Sequence, residues 1–280
     1  MLCVVGDLVE DVVVHPVAVP ARGTDTAAVI RRTRGGSAAN VAAAAAAAGC
    51  RVRFVGRVGD DAVGTALASS LSAAGVDVRL QRAGRTGCIV VIVEPGGERT
   101  MLPDRGAAAE LGPIDPDSLG GVTWLHVPAY SLCAEPIGAS TRGAIAAVRA
   151  RGGRLSIDVS SVGAVAAFGV APFVTLLAEL DPDVVLATTS EAALLGTWSS
   201  RLLVVKHGGD PVELRRADGG SSWVDVPPVD GILDTTGAGD AFAGGFLAAT
   251  IAGAAAADAA ATGNALARRT LRSAGAGLAP

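Results

Sequence analysis

The feature that most restricts the fold is a rhythm that sets in after residue 105, where short β-branched runs alternate with longer Ala-rich stretches. The runs 123–127, 155–158, 184–186 and 202–206 read as strands, and the stretches 136–151, 171–180, 190–195, 239–251 and 254–272 as helices. An apolar run without polar alternation suits a strand covered on both faces, and strands joined through helices run parallel. The order predicts an α/β chain: a doubly wound, mostly parallel sheet flanked by helices. Composition agrees with this, because 50% of the 280 residues are hydrophobic while aromatics make up only 3%. Small side chains must then bring helix and sheet close together.

The first third of the chain mixes two patterns. Leu2–Val5 is an apolar run ending in Gly6-Asp7, the form of a buried strand that delivers its C-terminal end to a site. Residues 53–55 continue as a strand, while 37–48 and 61–74 predict helices, the first opened by the Gly35-Gly36-Ser37 turn and stopped at Gly49. Two β pairs fall outside the rhythm: 12–19 with 27–32, and 88–93 with 100–102 around Glu94-Pro95-Gly96-Gly97-Glu98. They predict a small appended sheet, and a further hairpin is expected across 212–226. With no internal repeat, residues 1–280 are expected to form a single domain.

A net charge of −4, with no block of Lys or Arg, argues against nucleic acid or an anionic membrane as partner and favours a small molecule. The four cysteines show no C-x-x-C spacing, and the N-terminus has no basic stretch ahead of its apolar run. A soluble cytoplasmic protein is the expectation.

Chemistry concentrates in Asp234-Thr235-Thr236-Gly237-Ala238-Gly239-Asp240, between a hairpin and a long helix. Glycines there let backbone N–H groups converge at a helix N-terminus, which favours an anion such as phosphate. A carboxylate beside a phosphate is repelled, so Asp240 reads as a positioned base acting on an attacking hydroxyl. The plainer reading makes it a helix-capping residue. The second constellation is Gly35-Gly36-Ser37-Ala38-Ala39-Asn40, in which paired glycines admit a polyhydroxyl ligand and Asn40 can bridge two hydroxyls. The plainer reading there is an ordinary helix start.

The stretches GGSAANVAAAAAAAGC-RVRFVGRVGDDAVG and DTTGAGDAFAGGFLAA resemble the N- and C-terminal signatures of the ribokinase-like (PfkB-type) carbohydrate kinases. With VVGDLVED, LLVVKHGGDP and ATGNALARRTLRSAGA the resemblance runs over nearly the whole chain. It implies the ribokinase-like fold and an ATP-dependent kinase acting on a hydroxymethyl group of a small sugar, sugar acid or nucleoside. By that resemblance Asp240 is the catalytic base and Gly237, Ala238 and Gly239 supply amides around the transferring phosphoryl group. Asp11, Gly35, Gly36 and Asn40 fall where the family binds substrate hydroxyls, and Lys206, Gly208 and Asn264 near its nucleotide site. ATP and Mg2+ are implied as cofactors, with room for a monovalent cation such as K+. The β pairs at about 12–33 and 85–104 resemble the family's lid, whose edge strands are also candidates for pairing in a homodimer.

Two departures from the family pattern stand out, at Thr188 and at residues 127–130, while Arg105 resembles an arginine that several relatives aim at substrate. Thr188 replaces the Asn of the N-x-x-E motif, leaving Glu191 as the residue expected to hold a metal-bound water. Val127-Pro128-Ala129-Tyr130 lacks the glutamate that contacts ribose in ribokinases proper. Arg105 stands where the lid returns to the core: it could grip a substrate carboxylate, or form a salt bridge with Asp104 or a neighbour. The alternative function is a sugar-binding regulator on a decayed kinase. A dinucleotide-dependent dehydrogenase is excluded, since no G-x-G-x-x-G follows the first strand.

Overall fold

The computed structural model describes residues 1–94, 99–198 and 200–273. The order of elements begins β1 (Leu2–Val5), β2 (Val9–Pro16), β3 (Ala28–Gly35), α1 (Ser37–Ala47), β4 (Val52–Val58), α2 (Ala62–Ala73) and β5 (Asp77–Arg82). The hairpin strands β6 (Thr86–Val93) and β7 (Arg99–Gly106) follow, then β8 (Trp124–Pro128), α3 (Ile137–Arg149), β9 (Arg154–Asp158), α4 (Val162–Phe168) and α5 (Val170–Leu180). The chain closes with β10 (Val184–Thr188), α6 (Thr189–Leu195), β11 (Leu202–His207), β12 (Asp210–Arg216), β13 (Ser221–Val224), α7 (Ala238–Ile251) and α8 (Ala256–Thr270). Most of the expected turn between β6 and β7, Pro95 to Glu98, lies outside the described residues.

Nine strands form one sheet in the order β13-β12-β11-β10-β9-β8-β1-β4-β5. The seven from β11 to β5 are parallel, and β12 and β13 add an antiparallel edge. Alternate residues of each strand feed two cores. Leu2, Val4, Phe54, Leu186 and Val204 pack under α1, α2, α7 and α8, while Cys3, Val5, Leu125, Ile157 and Val185 pack under α3, α5 and α6. Small residues set the spacing: a Cβ on Gly244 of α7 would lie 2.6 Å from Ala44 Cβ of α1. The two helices therefore touch along their backbones, which brings their N-termini together.

The second sheet has the order β3-β2-β6-β7, two antiparallel hairpins joined by a parallel β2–β6 pair. It is the small sheet expected from the two β pairs; β2 starts and ends three residues earlier than expected, and β3, β6 and β7 are longer than the sequence showed. Two elements were not expected. β5 reads Asp-Val-Arg-Leu-Gln-Arg, an edge strand whose polar alternation carries no apolar run. α4 is seven residues long, opened by the Ser161 side chain accepting from Ala164 N–H and closed at Gly169, whose φ is 103°. Among the described residues no single helix is long and apolar enough to cross a membrane.

Candidate active site

Parallel strands point their carboxyl ends at one edge of the sheet, and polar residues collect there. α7 begins at Gly237, a left-handed N-cap with φ 75°, and no side chain caps the first turn. Ala238 N–H reaches the Thr235 carbonyl at 3.4 Å, and the first-turn N–H groups of a helix that lack intrahelical partners are able to face an anion. Asp240, in the same turn, is tied to α1: Ser37 Oγ donates to its Oδ1 at 2.7 Å and Asn40 Nδ2 to its Oδ2 at 3.0 Å. Burial raises the Asp240 carboxyl to about 6 against these two hydrogen bonds. Such a value suits a base working near neutral pH. Ser37 was read only as part of a helix start; α1 in fact takes Gly36 as N-cap without a side-chain bond, and the hydroxyl goes to Asp240.

A charged cluster lies beside the loop. Lys206 Nζ pairs with Asp158 at 2.8 Å, and a Cβ on Gly239 would lie 3.5 Å from that Nζ. The only lysine of the chain thus stands against the first turn of α7. Burial pulls its ammonium down, yet Asp158, Glu191 and Asp240 outweigh this and hold it above the ordinary lysine value. Glu191 and Thr188 form a capping box on α6, with Thr188 N–H donating to Oε2 at 2.8 Å. Burial and then Asp158 push the Glu191 carboxyl up. Asp158 was not singled out in the sequence, although its place at the end of a strand pointed to it. Gly208 forms the turn between β11 and β12 with φ 69°, and buried Asn264 holds the Asp225 carbonyl at 3.2 Å.

At the start of α1, Gly36 has φ 97° and presses on the Asp7 carbonyl, where a Cβ would sit 2.3 Å from the oxygen. At Gly35 a Cβ would lie 2.0 Å from Asp11 Oδ1, so the carboxylate of β2 occupies the space that a side chain would fill. Burial, and then Asp240, raise the Asp11 carboxyl to about 7. Asp11 Oδ1 and Asn40 Oδ1 are buried without hydrogen-bond partners. Tyr130, the only tyrosine, is half-buried, its hydroxyl bonded to Ser161, and burial raises it.

Arg105 does not face a free pocket, and its partner is not Asp104. Its fork is taken by Asp7, Nε to Oδ2 at 2.7 Å and an Nη to Oδ1 at 2.8 Å, while Asp104 pairs with Arg85. Asp7 lies just past the end of β1, so the bidentate pair fixes β7, the return strand of the small sheet, to the core. The reason for expecting a substrate carboxylate at Arg105 disappears. A second arginine, unremarked in the sequence, bridges lid and loop: Arg99 of β7 donates to Thr236 Oγ1 at 2.7 Å and to Thr235 Oγ1.

Among the described residues no cluster of three His, Cys, Asp or Glu could hold a metal by itself. Mg2+ that travels with nucleotide phosphates needs only one or two protein carboxylates, and Asp158 and Glu191 fit that requirement. The histidines take other roles. His126 is fully buried against Ser156 and burial lowers it to about 4, while His207 bonds Thr189 and stacks on Trp223.

Comparison with known proteins identifies the family. The chain is 32% identical over 237 residues to a fructokinase of Klebsiella pneumoniae, covering 76% of each. It is 33% identical over 225 residues to an ATP-dependent ribose-1-phosphate kinase of Halopiger xanaduensis, covering 78% of this chain and 73% of the relative. Among solved structures, adenosine kinase from Sinorhizobium meliloti superposes with TM-score 0.88 at 22% identity, over 100% of this chain and 95% of its own. A putative ribokinase II of E. coli in complex with ATP and Mg2+ gives TM-score 0.86 at 22% identity, over 98% and 94%. The sequence matches the description pfkB family carbohydrate kinase over residues 1–165 and 175–280, and the chain belongs to that family.

Proposed function

We propose that the protein transfers the γ-phosphoryl group of ATP to a hydroxymethyl group of a small neutral sugar, with Asp240 as general base. The observation that carries this reading is the Asp240 carboxylate, held by Ser37 and Asn40 at the uncapped N-terminus of α7. The acceptor hydroxyl gives its proton to Asp240 as its oxygen attacks the γ-phosphorus; the bond to the β,γ-bridging oxygen breaks and ADP leaves. The amides of Gly237, Ala238 and Gly239 receive the charge on the transferring oxygens, and Lys206 adds a cation beside them. Mg2+ bound with ATP offsets phosphate charge, and Glu191 and Asp158 are the residues that would hold it. Gly208 and Asn264 belong to the proposed nucleotide side.

The acceptor side favours a neutral polyol over a sugar acid. Asp11 and Asn40 offer unpartnered oxygens, which accept hydrogen bonds, and the one expected carboxylate grip, Arg105, is closed by Asp7. The alternative of a sugar-binding regulator draws no support from a site in which base, anion loop and cation stand together. The test is ATP-dependent ADP release with D-fructose, D-ribose, adenosine and 2-keto-3-deoxygluconate. A neutral sugar is expected to give the highest kcat/KM. Preference for the sugar acid overturns the neutral-acceptor reading, and no ADP release with any of the four overturns the kinase reading.

A further inference from the structure

Three oxygens around the acceptor site are buried without a hydrogen bond: Asp11 Oδ1, Asn40 Oδ1 and Thr33 Oγ1. Thr33 belongs to no motif of the sequence. It stands directly opposite Asp11 in the β2–β3 ladder, two residues before Gly35, over which the Asp11 carboxylate lies. Opposed residues of an antiparallel pair project from the same face of the sheet. The Thr33 hydroxyl and the Asp11 carboxylate thus share the lid face that carries Asp11 towards Asp240.

A buried hydroxyl without a partner is costly unless something arrives to satisfy it. The chemistry of the pair says what that is. An ionised carboxylate only accepts, whereas a threonine hydroxyl has an O–H to donate. One incoming hydroxyl meets both, giving its proton to Asp11 and taking the O–H of Thr33. A carbonyl oxygen would satisfy Thr33 alone, and an ammonium Asp11 alone. We propose that Thr33 is a specificity-determining residue of the acceptor site, which together with Asp11 recognises one sugar hydroxyl as donor and acceptor at once. The proposal rests on the acceptor lying beside Asp11, as in the reading above.

The test compares D-fructose with its 1-, 3- and 4-deoxy analogues, and D-ribose with its 2-deoxy analogue, by calorimetric titration and by ADP release. Wild type, Thr33→Val and Thr33→Ser are measured in parallel. In wild type one deoxy analogue should bind roughly tenfold more weakly than its parent, the size of one lost hydrogen bond in a buried site. Thr33→Val should weaken the parent sugar by roughly the same factor, leave that analogue where it was, and leave the KM for ATP unchanged. Thr33→Ser should restore the parent sugar. A merely structural role would lower all sugars alike, and such a uniform loss overturns the proposal. So does a Val variant that binds the parent sugar as wild type does, or a wild type that binds neither D-fructose nor D-ribose. Thr33-dependent binding without ADP release supports the proposal while removing the kinase reading.

Discussion

The two ends of the large sheet use the same residue types to opposite effect. At the amino ends of the strands, carboxylates meet arginines in half-solvated pairs: Asp77 with Arg53 at 2.7 Å, and Asp183 with Arg149 at 2.7 Å. Burial works against the Asp77 charge, but Arg53 and Arg79 prevail and hold its carboxyl below the usual range. At the carboxyl ends, Asp11, Asp240 and Glu191 lie above it, because burial and neighbouring carboxylates outweigh their hydrogen bonds. One end spends its charges on holding elements in place; the other keeps charge in an unfavourable setting, where a substrate can relieve it.

The largest effect that tests this contrast is Asp240→Asn. The amide keeps the shape and removes the basicity, so kcat should fall by roughly 10²–10⁴. In wild type kcat/KM should begin to fall as pH drops through the Asp11 value of about 7, and fall further through the Asp240 value of about 6. Stability moves the other way. A carboxyl raised above its unfolded value contributes stability when protonated, which is lost as pH rises through the folded value. Asp240→Asn should therefore gain in Tm relative to wild type on going from pH 5 to pH 8. A variant with near-normal kcat, or with a Tm difference that ignores pH, would remove the distinction between the two ends.

What could be read in the sequence follows from how far apart the partners lie. The alternation after residue 105 and the two glycine motifs are local, and they predicted the parallel sheet, the appended sheet and the place of Asp240. The bonds that hold the Asp240 carboxylate in place come from Ser37 and Asn40, 203 and 200 positions away, which no spacing reveals. Arg105 shows the same limit from the other side. Its residue type fits a substrate carboxylate, and only the folded chain shows Asp7, 98 positions earlier, already in that fork. Thr33 carried no signal, since a hydroxyl in an exposed-looking strand means nothing until its opposite residue is known. β5 was missed because its polar side chains are engaged by partners no pattern shows: Gln81 donates to the Gly112 and Pro113 carbonyls, and Arg82 to Thr65 of α2.

A middle-sized effect belongs to the amino ends. Arg149, at the end of α3, donates to Asp183 and to the Asp181 carbonyl, and Asp183 accepts in turn from Leu155 N–H at 2.9 Å. The guanidinium thereby joins α3 to the starts of β9 and β10. The Arg149 and Asp183 side chains are 28% and 14% exposed. Arg149→Met leaves a largely covered carboxylate with only the longer Arg201 contact at 3.4 Å and should cost about 1–3 kcal/mol, the desolvation penalty of a poorly met polar group. Thermal unfolding should come roughly 3–10 °C earlier for a chain of this size, with kcat and both KM values unchanged. A loss of kcat at unchanged Tm would mean that the amino ends also shape the site.

The smallest effect sharpens the contrast at its exposed limit. Arg201 pairs with Asp181 at 2.8 Å at the same end of the sheet, but the two side chains are 61% and 65% exposed. Water screens such a pair and both side chains lose rotamer freedom in forming it, so its net worth is about 0–1 kcal/mol. Arg201 also reaches Asp183 at 3.4 Å, a carboxylate that Arg149 already holds at shorter range. Arg201→Ala should therefore lower Tm by no more than roughly 3 °C and leave the kinetics alone. Salt separates this from the Arg149 case. The Debye length shrinks to about 3 Å at 1 M salt, which should erase the Arg201 difference while most of the Arg149 difference persists behind partial burial. Unfolding curves of both variants at 0.1 and 1 M NaCl decide it. If the two lose their Tm difference together, exposure does not grade the amino-end pairs, and the division between holding charges and reacting charges would then rest on the carboxyl ends alone.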